Sequence, residues 1–574
     1  MHGTLGCTRR RLRLFVAAAV MAALAAAICA GAATKASAVS MSRGTSQGPV
    51  FTWDVAHDTS LPLRDLAAGR IPGEGEDPAN EVEGGPLADG VGYSPDGALQ
   101  TAMPPATIPS TQANFEGLSN QDNFNIFGFR VNPPDPNGEV GPNNYVEMIN
   151  LVFGIYDKAG NLLLGPVDTG TLWSGFAIPD CTDPSGDPVV MYDQFTDRWI
   201  LTQFTTRGPE YWNCVAVSTT SDPTGSYYRY AFSTGPNFPD YPKYGNWRDS
   251  YVITTREFGP TIEYGIGVYA LEKNKMVNGE PARSVRFFVD GNVPDNLPLV
   301  GDGLLPADVD GKQMPKNDAS IPLVGTQDDG AGYGGTFDAL NIWDLNVKWR
   351  STPLASLALN TQLPTASFDS IFPCTPGARD CLPQPGVASG DPRTLDILSY
   401  RQRPTFRLAY RNFKDYESLV TNQSVEAAPG MAGVRWYEIR RVGNTYSLYQ
   451  QGTYAPNDGV HRWMGSIAQD KKGDMGLGYS VVNGTNVYPG IRYTGRLAGD
   501  PLGQMTLGEG TIIDGSGIQR TTNSRWGDYT DMTVDPVDDC TFWYVNEYYT
   551  LAGQNSSTAG WQTRIASFKL PGCS

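Results

Sequence analysis

Histidine is almost missing from this sequence: 3 residues in 574, at positions 2, 57 and 461. A three-histidine zinc centre is excluded once an N-terminal segment carrying His2 is removed, and a Cys₂His₂ centre would need both His57 and His461 from distant parts of the chain. Cys-x-x-Cys pairs, His-Glu-x-x-His and Gly-rich phosphate loops ending in Lys-Ser/Thr are also absent. The one Gly-x-Ser-x-Gly match, Gly44-Thr-Ser-Gln-Gly, has neither a strand pattern before it nor a helix pattern after it, and reads as chance. Charged residues are scarce at 18%. That argues against coiled coils, helical bundles and helical solenoids, which need Ala, Glu, Lys and Leu at helical period. After the N-terminus no run of 18 apolar residues occurs, so no later segment is expected to span a membrane as a helix. A formal charge of −17 disfavours nucleic acid and anionic membrane as partners.

What is plentiful is turn formers and aromatics: 65 Gly, 43 Pro, 28 Tyr, 22 Phe and 12 Trp. This composition suits many short strands joined by turns, and the length accommodates several domains or one large all-β domain.

Residues 1–38 read as a signal peptide. Arg9, Arg10, Arg11 and Arg13 form a basic region, an Ala-rich apolar run extends from Leu14 to Ala33, and Ala36-Ser37-Ala38 fits a cleavage site. The expected location is secreted, periplasmic or cell-surface. Cleavage leaves six cysteines, an even number in an exported chain, which points to disulfides. Six cysteines allow 15 pairings; local closure favours Cys181–Cys214, Cys374–Cys381 and Cys540–Cys573. Residues 39–118 form an acidic leader, with 11 acids against 3 basic residues and little apolar periodicity, expected to be largely extended.

From residue 119 to 574 a strand grammar recurs. A polar loop leads into a short apolar strand, an aspartate-rich turn follows, then an aromatic strand. Strands are expected to start near Tyr145, Val189, Tyr251, Leu323, Leu419, Ile467 and Met532. Turns such as Asp157-Lys-Ala-Gly, Asp193-Gln-Phe-Thr-Asp, Asp470-Lys-Lys-Gly-Asp and Asp535-Pro-Val-Asp-Asp fit between them. Seven units of four strands are the arithmetic of a seven-bladed β-propeller, whose blades cover one another's faces and edges. Another blade number and a double β-sandwich are the alternatives. The segment Gln121–Arg130 is the expected closing strand, and Trp199, Trp543 and Tyr544 are expected in the core.

The phrases Pro133-Pro-Asp-Pro-Asn-Gly-Glu-Val-Gly-Pro-Asn, Gly186-Asp-Pro-Val-Val-Met-Tyr-Asp, Asp240-Tyr-Pro-Lys-Tyr-Gly, Gln451-Gly-Thr-Tyr-Ala-Pro-Asn-Asp-Gly and Arg525-Trp-Gly-Asp-Tyr-Thr-Asp-Met-Thr-Val-Asp-Pro resemble those of a group of exported bacterial propeller proteins of unassigned activity. More distantly the pattern is similar to sialidase-like propellers, although their Ser-x-Asp-x-Gly-x-x-Trp box is not found at the repeat positions.

In a propeller, the loops leading into the innermost strands surround the mouth of a central channel. Those loops are expected to bring together carboxylates, arginines and large aromatics, the mixture that recognises sugars. Hydrolysis of a glycoside needs two carboxylates across the scissile bond. Asp187 and Asp240 are the leading pair, with Asp528 and Asp135 behind them. A polysaccharide lyase would instead need a cation for a uronate carboxylate, such as Arg462 or Arg525, and a base, such as His461 or Tyr241. Lys243, Trp247, Arg462, Trp463, Arg525 and Trp526 are the expected substrate-binding residues. No cofactor is required; calcium is possible at Asp135, Asn137 and Glu139, and Asp308-Val-Asp-Gly offers similar oxygens. The expectation is a glycoside hydrolase or polysaccharide lyase acting on an extracellular polysaccharide; the alternative is a non-catalytic propeller binding a glycan or a protein at the cell surface.

Overall fold

The computed structural model describes residues 44–69, 93–259, 264–371, 380–388, 390–397 and 402–574. The segment expected to be a signal peptide, the middle of the leader and Cys374 lie outside the described residues. No helix among them is long and apolar enough to cross a membrane.

Four strands come from the leader: β1 (Gln47–Trp53), β2 (Ala56–Thr59), β3 (Leu99–Gln100) and β4 (Ala113–Ser119). The chain then lays down antiparallel meanders in sequence order. The first is β5 (Asn137–Val140), β6 (Asn144–Ile149), β7 (Val152–Asp157) and β8 (Leu162–Asp168). The second is β9 (Val190–Asp193), β10 (Arg198–Phe204), β11 (Tyr211–Ser218) and β12 (Tyr227–Gly235). The third is β13 (Phe238–Asn246), β14 (Ser250–Phe258), β15 (Gly265–Glu272) and β16 (Arg283–Asp290). Next comes β17 (Leu305–Asp310), β18 (Ile321–Gln327), β19 (Ala339–Lys348) and β20 (Leu354–Pro364). A short hairpin, β21 (Asp380–Leu382) with β22 (Leu395–Asp396), interrupts the series. It resumes with β23 (Thr405–Asn412), β24 (Glu417–Ala428), β25 (Met431–Val442) and β26 (Thr445–Tyr454). Then follow β27 (His461–Gln469), β28 (Met475–Val482), β29 (Gly490–Arg496) and β30 (Leu507–Ile513). The last meander is β31 (Asp531–Val534), β32 (Thr541–Tyr549) and β33 (Trp561–Lys569), completed by β4 from the leader.

The first strand of each meander packs against the first strand of the next, and β31 returns to β5. The result is a ring of antiparallel sheets, not two sheets face to face. The approach is close enough for β17 to pair in parallel with β23, Ala307 opposite Leu408. Both faces of an internal sheet are covered, so the strands lose the alternation of a half-exposed sheet; all nine residues of β14 are buried. Trp199, Trp543 and Tyr544 lie in this core.

The leader is not a separate segment where it is described. β1 pairs with β16, β2 with β12, β3 with β26 and β4 with β33, so it covers the outer edges of four sheets. The closing strand is β4, not Gln121–Arg130, and the boundary expected at 118/119 falls inside it. Residues Asn120–Phe127 are a helix instead. The cause is local: the Asp122 carboxylate accepts the Ser119 backbone N–H at 2.8 Å in a capping box, and Gly128 ends the helix at φ +79°.

The seven expected strand starts fall one per meander, but on mixed positions. Val189, Ile467 and Met532 belong to first strands or their edge, whereas Tyr145, Tyr251, Leu323 and Leu419 belong to second strands. Several stretches expected to be loops, among them Asp240–Lys243, Asp308–Asp310 and His461–Trp463, are therefore strand residues. The aspartate turns form as expected: the Asp157 carboxylate accepts the Ala159 and Asn161 N–H groups at 2.9 Å, bonding the backbone of its own turn. Disulfides Cys181–Cys214 and Cys540–Cys573 are present.

Candidate functional site at the axial mouth

Side chains just before or at the start of the first strands converge at one end of the axis. Asp135 precedes β5, Asp187 precedes β9, and Asp240, Tyr241 and Lys243 lie on β13 at a register shift of its pairing with β14. Asp302 precedes β17, Arg403 precedes β23, and Arg525, Asp528 and Tyr529 precede β31. All are buried. Asp135, Asp187 and Tyr241 have positive φ values of 46°, 48° and 52°. The positions thus bend sharply out of the loops, a conformation that Asp tolerates better than Tyr.

Hydrogen bonds tie this group across the ring. Asp135 accepts the Asp528 N–H at 2.6 Å and the Asn150 side-chain amide at 2.7 Å. Asn150 Oδ1 accepts the Asp187 backbone N–H at 2.9 Å, so one asparagine ties the Asp135 carboxylate to the backbone of Asp187. The Tyr529 hydroxyl donates to Asp187 Oδ2 at 3.0 Å or to the Pro242 carbonyl at 2.8 Å. Asp240 is held by Arg256 at 3.1 Å, and Arg256 also reaches Asp302 at 2.9 Å. Arg403 and Arg525 each stand 3.4 Å from Asp528.

Lys243 differs from these charges. Its Nζ lies 3.0 Å from the centre of the Tyr241 ring and 3.3 Å from that of Tyr529, and it has no hydrogen-bond partner among the described residues. Burial pushes its ammonium well below the usual lysine range; Asp187 opposes the shift and Arg403 adds to it. Burial and the neighbouring Asp528 raise the Asp135 carboxyl to about 7, partly offset by Arg525. Burial raises the Tyr241 phenol, so it is not a ready base.

A second polar layer crosses the axis deeper in the ring. Arg407 on β23 pairs with Asp308 at 2.9 Å and with Asp310 at 2.8 Å, and approaches Asp531 at 3.6 Å. Asn137 donates to Asp531 at 2.9 Å. Burial pushes the Glu139 and Asp531 carboxyls well up, against the pull of Arg407. Asn137 and Glu139, grouped with Asp135 in the sequence, thus belong to a different layer.

Other expected site residues are placed elsewhere. Arg462 pairs with Asp458 and Glu509, both at 2.7 Å, within the sheet of β27. His461 starts β27, where it accepts the Ala432 N–H at 3.3 Å; burial and then Arg462 lower its pKa to about 4, leaving a weak base. Trp247, Trp463 and Trp526 are buried rather than presented as platforms: Trp247 packs on Tyr410 with ring centres 4.8 Å apart, and Trp463 on Trp526 at 5.1 Å. The β21–β22 hairpin adds Leu382 and Leu395 to that tryptophan cluster. Its Gln384 exchanges hydrogen bonds with Gln519, and Gln519 holds the Arg525 carbonyl at 2.7 Å, which steadies the loop bearing Arg525 and Asp528.

Sequence reasoning missed Asn150, Arg256, Asp302, Arg403 and Tyr529. Asp302 and Arg403 immediately precede first strands, so the correct register would have found them. Arg256 lies on a second strand and carries no sequence signal.

No family model and no curated protein matches the sequence. Among solved structures, the endo-arabinase from Bacteroides thetaiotaomicron VPI-5482 is similar over 53% of this chain and 92% of its own, at 12% identity and TM-score 0.26. The subtype N10 neuraminidase-like protein of A/little yellow-shouldered bat/Guatemala/060/2010 is similar over 65% and 96%, at 8% identity and TM-score 0.31. The GH93 alpha-L-arabinofuranosidase of Fusarium graminearum is similar over 58% and 98%, at 7% identity and TM-score 0.26. Scores of this size do not establish a shared topology.

Proposed function

We propose that this protein is an exported seven-bladed β-propeller that engages an extracellular glycan carrying an acidic sugar, at the axial mouth. The observation that carries this reading is Lys243: a buried amine between two tyrosine faces, with no hydrogen-bond acceptor among the described residues. Burial disfavours its charged form, and a ligand carboxylate beside it would restore that form as an ion pair. Hydrolysis is the reaction the surroundings favour. Asp135 keeps a proton near neutral pH and suits a general acid, while Asp187, whose backbone N–H bonds the same Asn150 and whose carboxylate the Tyr529 hydroxyl reaches at 3.0 Å, supplies the second carboxylate. Asp240 is less suited, because Arg256 occupies it. Elimination finds less support, since His461 is a weak base held in β27.

A second reading, binding without turnover, is favoured by the protein partners that Asp135, Asp187, Asp240 and Asp528 already have. One experiment separates the two. The protein is incubated with a panel of neutral and uronate-containing polysaccharides, reading binding, reducing ends and the absorbance of unsaturated uronates. Hydrolysis yields reducing ends without that absorbance, and Asp187→Asn removes turnover while leaving binding. Binding alone yields no product with any polysaccharide. In both cases Lys243→Met removes the preference for acidic glycans; an unchanged preference in that variant rejects the site.

A further inference from the structure

Asp193 ends β9, Asn246 ends β13, and Lys273 opens the single helical turn that follows β15. None of the three is more than 1% exposed, and their side chains form a closed triangle. Lys273 Nζ donates to Asn246 Oδ1 at 2.7 Å and stands 2.7 Å from Asp193 Oδ2. Asn246 Nδ2 donates to Asp193 Oδ1 at 3.2 Å. These contacts fix the amide: its carbonyl oxygen faces the amine and its nitrogen faces the carboxylate. Asp193 Oδ2 also accepts the Tyr251 hydroxyl at 3.1 Å and the Thr196 hydroxyl at 2.5 Å, and Lys273 donates further to the Trp247 carbonyl at 2.9 Å. Aromatic rings wall the group in: Lys273 Nζ lies 5.3 Å from the centre of the Tyr251 ring and 6.0 Å from that of Phe195. An ion pair needs only an amine and a carboxylate. Here a side-chain amide is held against both, so a nucleophile, an acyl group and a proton carrier are in mutual contact away from water.

We infer that Lys273 and Asn246 condense into an intramolecular isopeptide bond, with Asp193 carrying the protons. The carbon to be attacked, Asn246 Cγ, lies one C=O bond, about 1.23 Å, beyond the oxygen that the amine already touches. Asp193 takes a proton from the lysine ammonium, and the electron pair so freed adds to Cγ. The Cγ–Nδ2 bond then breaks, its electron pair going to nitrogen. Two protons of the original ammonium pass through Asp193 to Nδ2, which leaves as an ammonium ion, and Asp193 is a carboxylate again. Nothing is oxidised or reduced and no co-reactant is needed. Burial works toward the free amine, against the pull of Asp193. The Asp193 carboxyl, which burial alone would raise, is held below its ordinary range by Lys273 and the other donors, ready to accept a proton. The link joins the ends of β13 and β15 across β14, in the sheet whose β13 carries Asp240, Tyr241 and Lys243. It uses no side chain of the mouth, so it is independent of the glycan reading.

The test uses the full chain, folded and held at neutral pH, then unfolded, reduced and digested with trypsin for mass spectrometry. Without the link, segments 244–248 and 257–273 are released as separate peptides. With it, trypsin does not cut after Lys273, and one branched peptide joins 244–248 to 257–275, lighter by one ammonia than the sum of its parts. The branched peptide is expected from the wild type. Asn246→Ala keeps the ion pair and should yield only linear peptides. Asp193→Ala keeps both condensing groups and should slow the appearance of the branched peptide roughly a hundredfold or more. Asp193→Asn should do the same, which covers the case that the alanine variant fails to fold. Wild-type protein that yields only the linear peptides overturns the inference. So does a branch from Lys273 to the peptide bearing Asp193 with loss of one water, which makes the aspartate the acyl group. Branching at the wild-type rate in the Asp193 variants overturns the role given to Asp193.

Discussion

Glu147 offers a sharp test of how the ring closes. It sits on β6 and reaches the last meander, accepting the Leu118 N–H at 2.8 Å and lying within hydrogen-bond reach of the Thr563 hydroxyl. Thr563 has one proton and a second acceptor, the Leu118 carbonyl at 2.8 Å. If that proton goes to the carbonyl, the hydrogen between Thr563 and Glu147 has to come from the carboxyl, which is then neutral. Burial, opposed by those hydrogen bonds, indeed raises Glu147 from 4.5 to about 7. The folded state therefore holds a proton that the unfolded chain releases. Stability is full below the unfolded pKa and falls as pH rises from about 4.5 to about 7, by about 3 kcal/mol at most. Glutamine at this position reproduces the neutral acid: its oxygen accepts Leu118 N–H and its amide donates to Thr563. Glu147→Gln should match the wild type within about 1 kcal/mol at pH 5 and exceed it by about 3 kcal/mol at pH 8. For a chain of this size that is a Tm gain of roughly 2–3 °C at pH 8. Thermal unfolding of both proteins at the two pH values, followed by circular dichroism, measures it. A variant destabilised equally at both pH values would show that the carboxylate is ionised and would refute the reasoning.

Further outcomes follow from the same geometry. A Cβ on Gly117 of β4 would stand 2.6 Å from Glu147 Oε2, so Gly117→Ala should cost on the order of 1–3 kcal/mol in denaturant titration, through loss of the closing strand's fit. Lys243→Met removes a buried amine without an acceptor, whose charged form folding disfavours, and should stabilise the ligand-free protein at pH 7 by on the order of 1–3 kcal/mol. Because folding lowers the Lys243 pKa, that gain should shrink as the pH approaches the ordinary lysine value of about 10.4, where the wild type sheds the charge in both states; a gain independent of pH counts against the assignment. Replacing Cys540 and Cys573 by serine opens a loop with a sequence separation of 33 and should cost about 3.5 kcal/mol in denaturant titration.

The strand-and-turn rhythm was legible because it is local. Asp157, Asp193, Asp470 and Asp535 bond their own turns, and such bonds depend on residues two to four positions away. The helix at Asn120–Phe127 was legible in principle, since Ser119 and Asp122 form its cap, but four apolar residues nearby suggested a strand. Register was harder. Both faces of an internal sheet are buried, so first and second strands look alike in the sequence, and residues such as His461 and Arg462 were read as loop when they are strand. The same burial turned Trp463 and Trp526 from candidate platforms into core.

The sequence by itself determined an all-β chain, its rhythm of strands and aspartate turns, and two local disulfides, because each rests on spacing within one or two neighbouring elements. Only the tertiary structure decided which aspartates meet. Asp135 and Asp528 are 393 positions apart and lie 2.6 Å from one another across the seam of the ring, Oδ1 to backbone nitrogen. In the sequence each is simply an aspartate in a turn-rich stretch, as are those that hold only their own turn. Ring closure, which gathers the first strands around one axis, separates the two kinds.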